Sequence, residues 1–146
     1  MTNVLVLNGP NLGRLGTREP DIYGTLTLDD IRATLEGEAP AGTTIDLRQT
    51  DDEATLIGWL HEAVDTRSAV ILNPAAFTHY SYALRDAVSI VTTSGLPLVE
   101  VHLSNPHARE EFRHTSVISG VATGVIAGLG VDSYRLALQA VLVRLP

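Results

Sequence analysis

The sequence predicts an α/β protein, a parallel sheet with helices on both faces. Three observations predict it. Short continuous apolar runs of Val, Leu and Ile recur without period-two alternation, as expected of strands buried on both faces. Stretches with apolar residues three and four apart lie between them, the spacing of helices that cover a core. The chain is 146 residues long, the size of one domain.

The elements follow in order. Val4–Leu7 is the first apolar run. Thr27-Leu28-Asp29-Asp30 has the form of a capping box, and Ile31, Leu35 and Ala39 follow at four-residue spacing. Thr44–Arg48 reads as a second, more exposed strand. Asp51 and Asp52 stand where they can cap a second helix, with Ile57, Leu60 and Val64 on one face. Ala69–Leu72 is a third strand, and Ser81–Val91 is helical in pattern. Leu98–Leu103 is a fourth strand, interrupted by Glu100 and His102. Val121–Leu129 is Gly-spaced but apolar and supplies a fifth, before a closing helix over Ser133–Val143. Strands that alternate with helices make a parallel sheet. Five of them at this length suit a flavodoxin-like three-layer sandwich of strand order 2-1-3-4-5. No linker, repeat or low-complexity stretch divides the chain, so residues 1–146 are expected to form a single domain.

Composition narrows the function. Ten basic residues against 17 acidic ones give a net charge of −7, a poor match for a nucleic-acid backbone. Cysteine is absent, which closes thiol chemistry, thiolate metal sites and disulfides. Lysine is absent too: all ten basic residues are arginines, so no lysine imine can form. No apolar run approaches the roughly 20 residues of a membrane span. The start, Met1-Thr2-Asn3-Val4, lacks the basic segment of a secretory signal. A soluble cytoplasmic protein is expected.

In a doubly wound sheet, ligands bind beyond the carboxyl ends of the strands. The first strand ends in Asn8-Gly9-Pro10-Asn11, the third in Asn73-Pro74, the fourth in His102-Leu103-Ser104-Asn105. Three strand ends thus carry amide, hydroxyl and imidazole groups. The loop Asn8–Gly24, NGPNLGRLGTREPDIYG, reads as seventeen residues without regular structure, the length of a lid or binding loop. Its glycines fit neither G-x-G-x-x-G nor the P-loop. It carries Arg14, Arg18 and Tyr23, and cations beside a tyrosine favour the phenolate, a usable base. The bland alternative is a surface tyrosine among solvated arginines.

The segment Ile71–Asp86, ILNPAAFTHYSYALRD, places Asn73 at the strand end and His79 at the start of the next helix, where free N–H groups face a ligand. Asp86 faces outward. In Pro97–His114, PLVEVHLSNPHAREEFRH, Glu100 and His102 are two apart and share one face of the strand. A carboxylate and an imidazole buried together are costly unless they pair, and the pair would favour a protonated, acid-competent ring, the bland alternative being a purely structural Glu–His pair. Arg109 and Arg113 follow at helical spacing, either as a basic wall or paired with Glu110 and Glu111. Metal is disfavoured. His61-Glu62 is not H-E-x-x-H, since position 65 is Asp, and His102 and His107 match no zinc spacing. No G-x-S-x-G elbow is present. A receiver-type binding module would want acidic residues at the ends of strands one and three, where Asn8 and Asn73 stand.

Together these segments, continued by Thr115–Gly130 (TSVISGVATGVIAGLG), resemble type II 3-dehydroquinate dehydratase in order, spacing and length over nearly the whole chain. The resemblance implies a flavodoxin-like fold, no cofactor, and a homododecamer of four trimers. It also implies loss of water from 3-dehydroquinate to give 3-dehydroshikimate, by an anti elimination through an enolate, in the shikimate pathway. Carried over by position, Tyr23 would remove the proton beside the ketone, and Arg18 would favour its phenolate. Asn11 would help hold a water against the enolate oxygen. His102 would protonate the departing hydroxyl, with Glu100 orienting it. Asn73, His79 and Arg113 would bind substrate hydroxyls. Leu103 and Ser104 would hold the carboxylate. Asp86 would reach the neighbouring subunit's site across the trimer interface. The chain departs from the family pattern at Phe77 and Tyr80, neither of them in a catalytic role.

Overall fold

The computed structural model describes residues 1–146. Five parallel strands form one sheet: β1 (Thr2–Asn8), β2 (Thr43–Gln49), β3 (Ala69–Asn73), β4 (Leu98–His102) and β5 (Gly124–Ala127). Their order is β2-β1-β3-β4-β5, the doubly wound arrangement that the alternating pattern predicts. The helices are α1 (Pro20–Tyr23), α2 (Leu28–Glu38), α3 (Glu53–Thr66), α4 (Tyr82–Thr93) and α5 (Val131–Leu142).

Alternation along the strands splits the core into two layers. Val4 and Val6 of β1 point to one face, with Ile71, Val99 and Val101, and pack under Ile31 and Leu35 of α2 and Ala137, Leu138 and Val141 of α5. Leu5 and Leu7 point to the other, with Val70, Leu72 and Leu98, beneath Leu56 and Leu60 of α3 and Leu84, Val88 and Val91 of α4. All of these are buried, which is why the central strands read as unbroken apolar runs. Glu100 has the parity of Leu98, so it and His102 lie on the α3/α4 face.

The caps match their sequence signals. Thr27 accepts from the Asp30 N–H, and Asp30 accepts from the Thr27 N–H, the complete capping box. Asp52 caps α3 by accepting from the Ala54 N–H, whereas Asp51 accepts from the Asn11 N–H and ties the first loop to the end of β2. In α3 the fully buried side chains are Leu56, Leu60 and Ala63, one step round from the Ile57–Leu60–Val64 face, because the sheet lies on that side.

Three expectations need correction. The loop after β1 is not without regular structure: it holds a 3₁₀ turn over Leu12–Arg14 and the single turn α1. Pro20, at the first position of α1, has the fixed φ that starts a helix. His79 does not start a helix. It ends a 3₁₀ turn over Ala75–His79, and Ser81 caps α4 by accepting from the Leu84 N–H. The fifth strand is only Gly124–Ala127, because Val121 and Ala122 bond back to Ile118 in a turn before the sheet begins.

Candidate active site

The carboxyl ends of β1, β3 and β4 converge at one end of the sheet. Two neighbouring loops are brought into contact there by Gly9, whose N–H donates to the Asn73 carbonyl at 2.8 Å. A Cβ at Gly9 would stand 2.6 Å from the Pro74 carbonyl oxygen, so only glycine allows the loops after β1 and β3 to approach this closely.

The resulting cavity, of about 150 Å³, is lined by Asn11, Arg18 and Tyr23 from the first loop, Asn73 and His79 from the second, and His102, Leu103, Ser104, Arg109 and Arg113 from the third. The structure therefore brings together nine of the eleven residues named from the sequence: Asn11, Arg18, Tyr23, Asn73, His79, His102, Leu103, Ser104 and Arg113. Glu100 lies behind His102, in an adjoining cleft that also includes His79 and Arg113. Asp86 is exposed on α4 and lines neither space.

Tyr23 is the last residue of α1. Its hydroxyl accepts from Arg109 Nη1 at 2.7 Å. Two guanidinium groups flank its ring, Arg109 with its Cζ 5.4 Å from the centroid and Arg18 at 5.0 Å. Arg109 also donates to the Ser104 hydroxyl at 3.3 Å and to Glu19 at 3.4 Å. It thus pins the first loop to the loop after β4. The sequence named Arg109 only as half of a basic wall, and contact with a tyrosine 86 positions away has no local signature. The wall itself is not a helix face: a break separates the 3₁₀ turn Pro106–Ala108 from that at Glu111–His114. Arg113 does pair with Glu110, at 3.1 Å.

Glu100 is almost wholly buried, and its carboxylate is surrounded by donors. Thr78 and Ser119 donate from their hydroxyls at 2.7 Å each, and Ser116 at 3.3 Å. The His102 Nε2 contacts Glu100 Oε2 directly. Burial by itself drives the carboxyl pKa upward. The bonds from His102, Ser119 and Thr78 outweigh it and hold Glu100 below the ordinary carboxylate value. An ionised Glu100 fixes the imidazole ring through Nε2, which leaves Nδ1 to act on a ligand. Sequence spacing located the Glu100–His102 pair. It missed the three hydroxyls, for which the only local trace is Ser116 and Ser119 breaking an otherwise apolar stretch.

His79 donates from Nδ1 to the Thr115 carbonyl at 2.8 Å, since a carbonyl can only accept. Its pKa is lowered, first by burial and then by the positive charge of His102 and Arg113. A neutral His79 with Nδ1 engaged keeps an Nε2 lone pair for a ligand hydroxyl. No group of three or more His, Cys, Asp or Glu side chains is placed to hold a metal ion. No helix is long and apolar enough to cross a membrane.

The site therefore gathers into one cavity a tyrosine flanked by two arginines, a carboxylate-backed histidine and further polar side chains. Comparison with known proteins returns the same arrangement of sequence. A family model described as dehydroquinase class II matches residues 2–142. A 3-dehydroquinate dehydratase of Salinispora tropica is 59% identical over 142 residues, 97% of each chain. One from Halalkalibacterium halodurans is 55% identical over 143 residues, again 97% of each. Among solved structures, a type II dehydroquinase from Propionibacterium acnes superposes with a TM-score of 0.89 at 52% identity, covering 96% of this chain and 95% of that one. Another, from Butyrivibrio crossotus, gives 0.91 at 36% identity and 97% coverage of both.

Proposed function

The chain belongs to the class II dehydroquinase family, and on that footing we propose that it is a hydro-lyase that converts 3-dehydroquinate to 3-dehydroshikimate by anti elimination through an enolate, the third step of the shikimate pathway. One observation carries the reading: Tyr23, hydrogen-bonded to Arg109 and stacked by Arg18, shares a cavity with His102, which Glu100 backs.

The Tyr23 phenolate removes a proton from the carbon beside the ketone, and the C–H electrons move into the enolate. Arg18 stabilises the negative charge of the transition state, and Arg109 holds the phenol oxygen in place. Asn11 helps to hold a water that donates to the enolate oxygen. The enolate then collapses to a carbon–carbon double bond conjugated with the ketone, and the C–O bond breaks on the opposite face. His102 donates its proton to the leaving hydroxyl, which departs as water. Glu100 keeps the imidazole aligned. His79, Asn73 and Arg113 hold substrate hydroxyls, while the Leu103 and Ser104 amides with the Ser104 hydroxyl hold the carboxylate. The chain has no lysine to form an imine with the ketone.

The working enzyme in this reading is a homododecamer of four trimers, with Asp86 serving the neighbouring subunit's site. Its exposed place on α4, outside the cavity of its own chain, fits that assignment.

The direct test adds 3-dehydroquinate and follows absorbance of the conjugated enone, with and without chelator and with and without borohydride. Turnover unaffected by either reagent is expected. Loss of turnover with chelator, or inactivation by borohydride in the presence of substrate, overturns the metal-free, imine-free mechanism. No enone at all overturns the assignment.

A further inference from the structure

Tyr134, in the first turn of α5, is wholly buried and takes no part in the chemistry above. Its hydroxyl lies between two asparagines at the ends of adjacent strands: it donates to Asn8 Oδ1 at 2.6 Å and accepts from Asn73 Nδ2 at 2.9 Å. Both asparagines are buried, and β1 and β3 set them side by side in register.

The direction of this chain is fixed by backbone groups that cannot change character. Asn8 Nδ2 donates to the Arg48 carbonyl at 3.0 Å and the Val6 carbonyl at 3.3 Å, so its Oδ1 must face Tyr134 as an acceptor. At the other end, Asn73 Oδ1 accepts from the Ala75 N–H at 3.1 Å, so its Nδ2 must face Tyr134 as a donor. The phenol fits between them in one way only. Burial also raises its pKa well above the ordinary tyrosine value, which keeps the hydroxyl protonated and able to donate.

One Nδ2 hydrogen of Asn73 remains without a partner in the protein, on a residue that lines the catalytic cavity. We propose that Tyr134 is a positioning residue that, together with the Ala75 N–H on Oδ1, locks the Asn73 amide so that it presents an N–H, never a carbonyl, to an acceptor oxygen of the substrate. The inference rests on the dehydratase reading and adds to it a residue behind the site. An amide free to flip would offer either group and lose discrimination against ligands with the wrong polarity.

Steady-state kinetics on 3-dehydroquinate test it with Tyr134→Phe, Asn73→Ala and the double variant. Asn73 binds ground and transition states alike, so the expected loss is in KM, about five- to tenfold for Tyr134→Phe, with kcat within about twofold. In the Asn73→Ala background, Tyr134→Phe should raise KM no further. An unchanged KM in Tyr134→Phe, or KM effects that multiply in the double variant, overturns the proposal. Circular dichroism checks folding. If Tyr134→Phe does not fold, Asn8→Ser removes the acceptor from the far end of the chain and must give the same Asn73-dependent rise in KM. Absence of turnover in the unaltered chain counts against the dehydratase reading and takes this inference with it. Turnover indifferent to Tyr134→Phe counts against this inference alone.

Discussion

Arg109 Nη1 donates to the Tyr23 hydroxyl at 2.7 Å, although the two residues stand 86 positions apart in the chain. That bond joins the first loop to the loop after β4 and sets a guanidinium against the oxygen proposed as the base. Tyr23→Phe keeps the ring between the arginines and deletes only that oxygen. It should lower kcat by about 10²–10⁴ with unchanged circular dichroism. Near-normal turnover would remove Tyr23 from the mechanism. Arg109→Gln should lower kcat as well and loosen the first loop, read as faster proteolysis near Glu19.

Glu100 carries a pH signature. Its pKa is depressed on folding from an ordinary value of 4.5, so the folded state binds the proton less well than the unfolded one. The stability this adds is present above about pH 4.5 and is lost as pH falls through the depressed value. The difference in melting temperature between the parent and Glu100→Gln should therefore shrink as pH falls from 6 towards 3. A difference that stays constant across that range would mean that the carboxylate is not stabilised by its donors. Ser119→Ala, which removes one donor, should move the acid limb of the parent's stability profile upward.

For His79 the sign follows from its lowered pKa. The folded state prefers the neutral ring, so stability is fully present above the ordinary value of 6.5 and declines as pH falls below it. The protonated ring would also lose the Nε2 lone pair proposed to hold a substrate hydroxyl. Substrate binds the folded protein, so KM should rise at lower pH, as the ring's lowered pKa is passed, in the parent and stay flat in His79→Gln. A parent KM whose acid limb matches that of His79→Gln would dismiss the assignment.

Gly9→Ala tests the closure of the site. The added methyl would meet the Pro74 backbone rather than a movable side chain. A loss of about 1–3 kcal/mol in stability is expected from the forced separation, measured by urea denaturation. KM should rise as Asn73 moves away from the first loop. Full stability together with an unchanged KM would show that the two loops have room to part.

Asp86→Ala distinguishes an assembled site from a solitary one. The residue is exposed in the single chain, where a surface carboxylate contributes little. Weaker substrate binding or a smaller particle by light scattering is expected. Unchanged KM together with unchanged size would reject a role across subunits.

The fold was legible in the sequence because each of its rules is local. Unbroken Val, Leu and Ile runs at β1, β3 and β4 mark strands covered on both faces, and Thr27 with Asp30 marks where α2 begins. The i, i+2 spacing of Glu100 and His102 also fixed that both side chains share one face, since strand geometry allows nothing else. Boundaries were less legible where tertiary contacts decide them. The start of β5 depends on a turn around Ile118, and α4 begins at Tyr82 because Ser81 takes the cap. Loop contacts left no trace in spacing. The Arg109–Tyr23 bond, the hydroxyls of Thr78, Ser116 and Ser119 around Glu100, and the Asn8–Tyr134–Asn73 chain all join residues far apart in the chain. The sequence by itself determined which groups stand at the strand ends. Only the packing of loops around the carboxyl edge decided which way each donor and acceptor points, because that direction is set by partners that local spacing cannot specify.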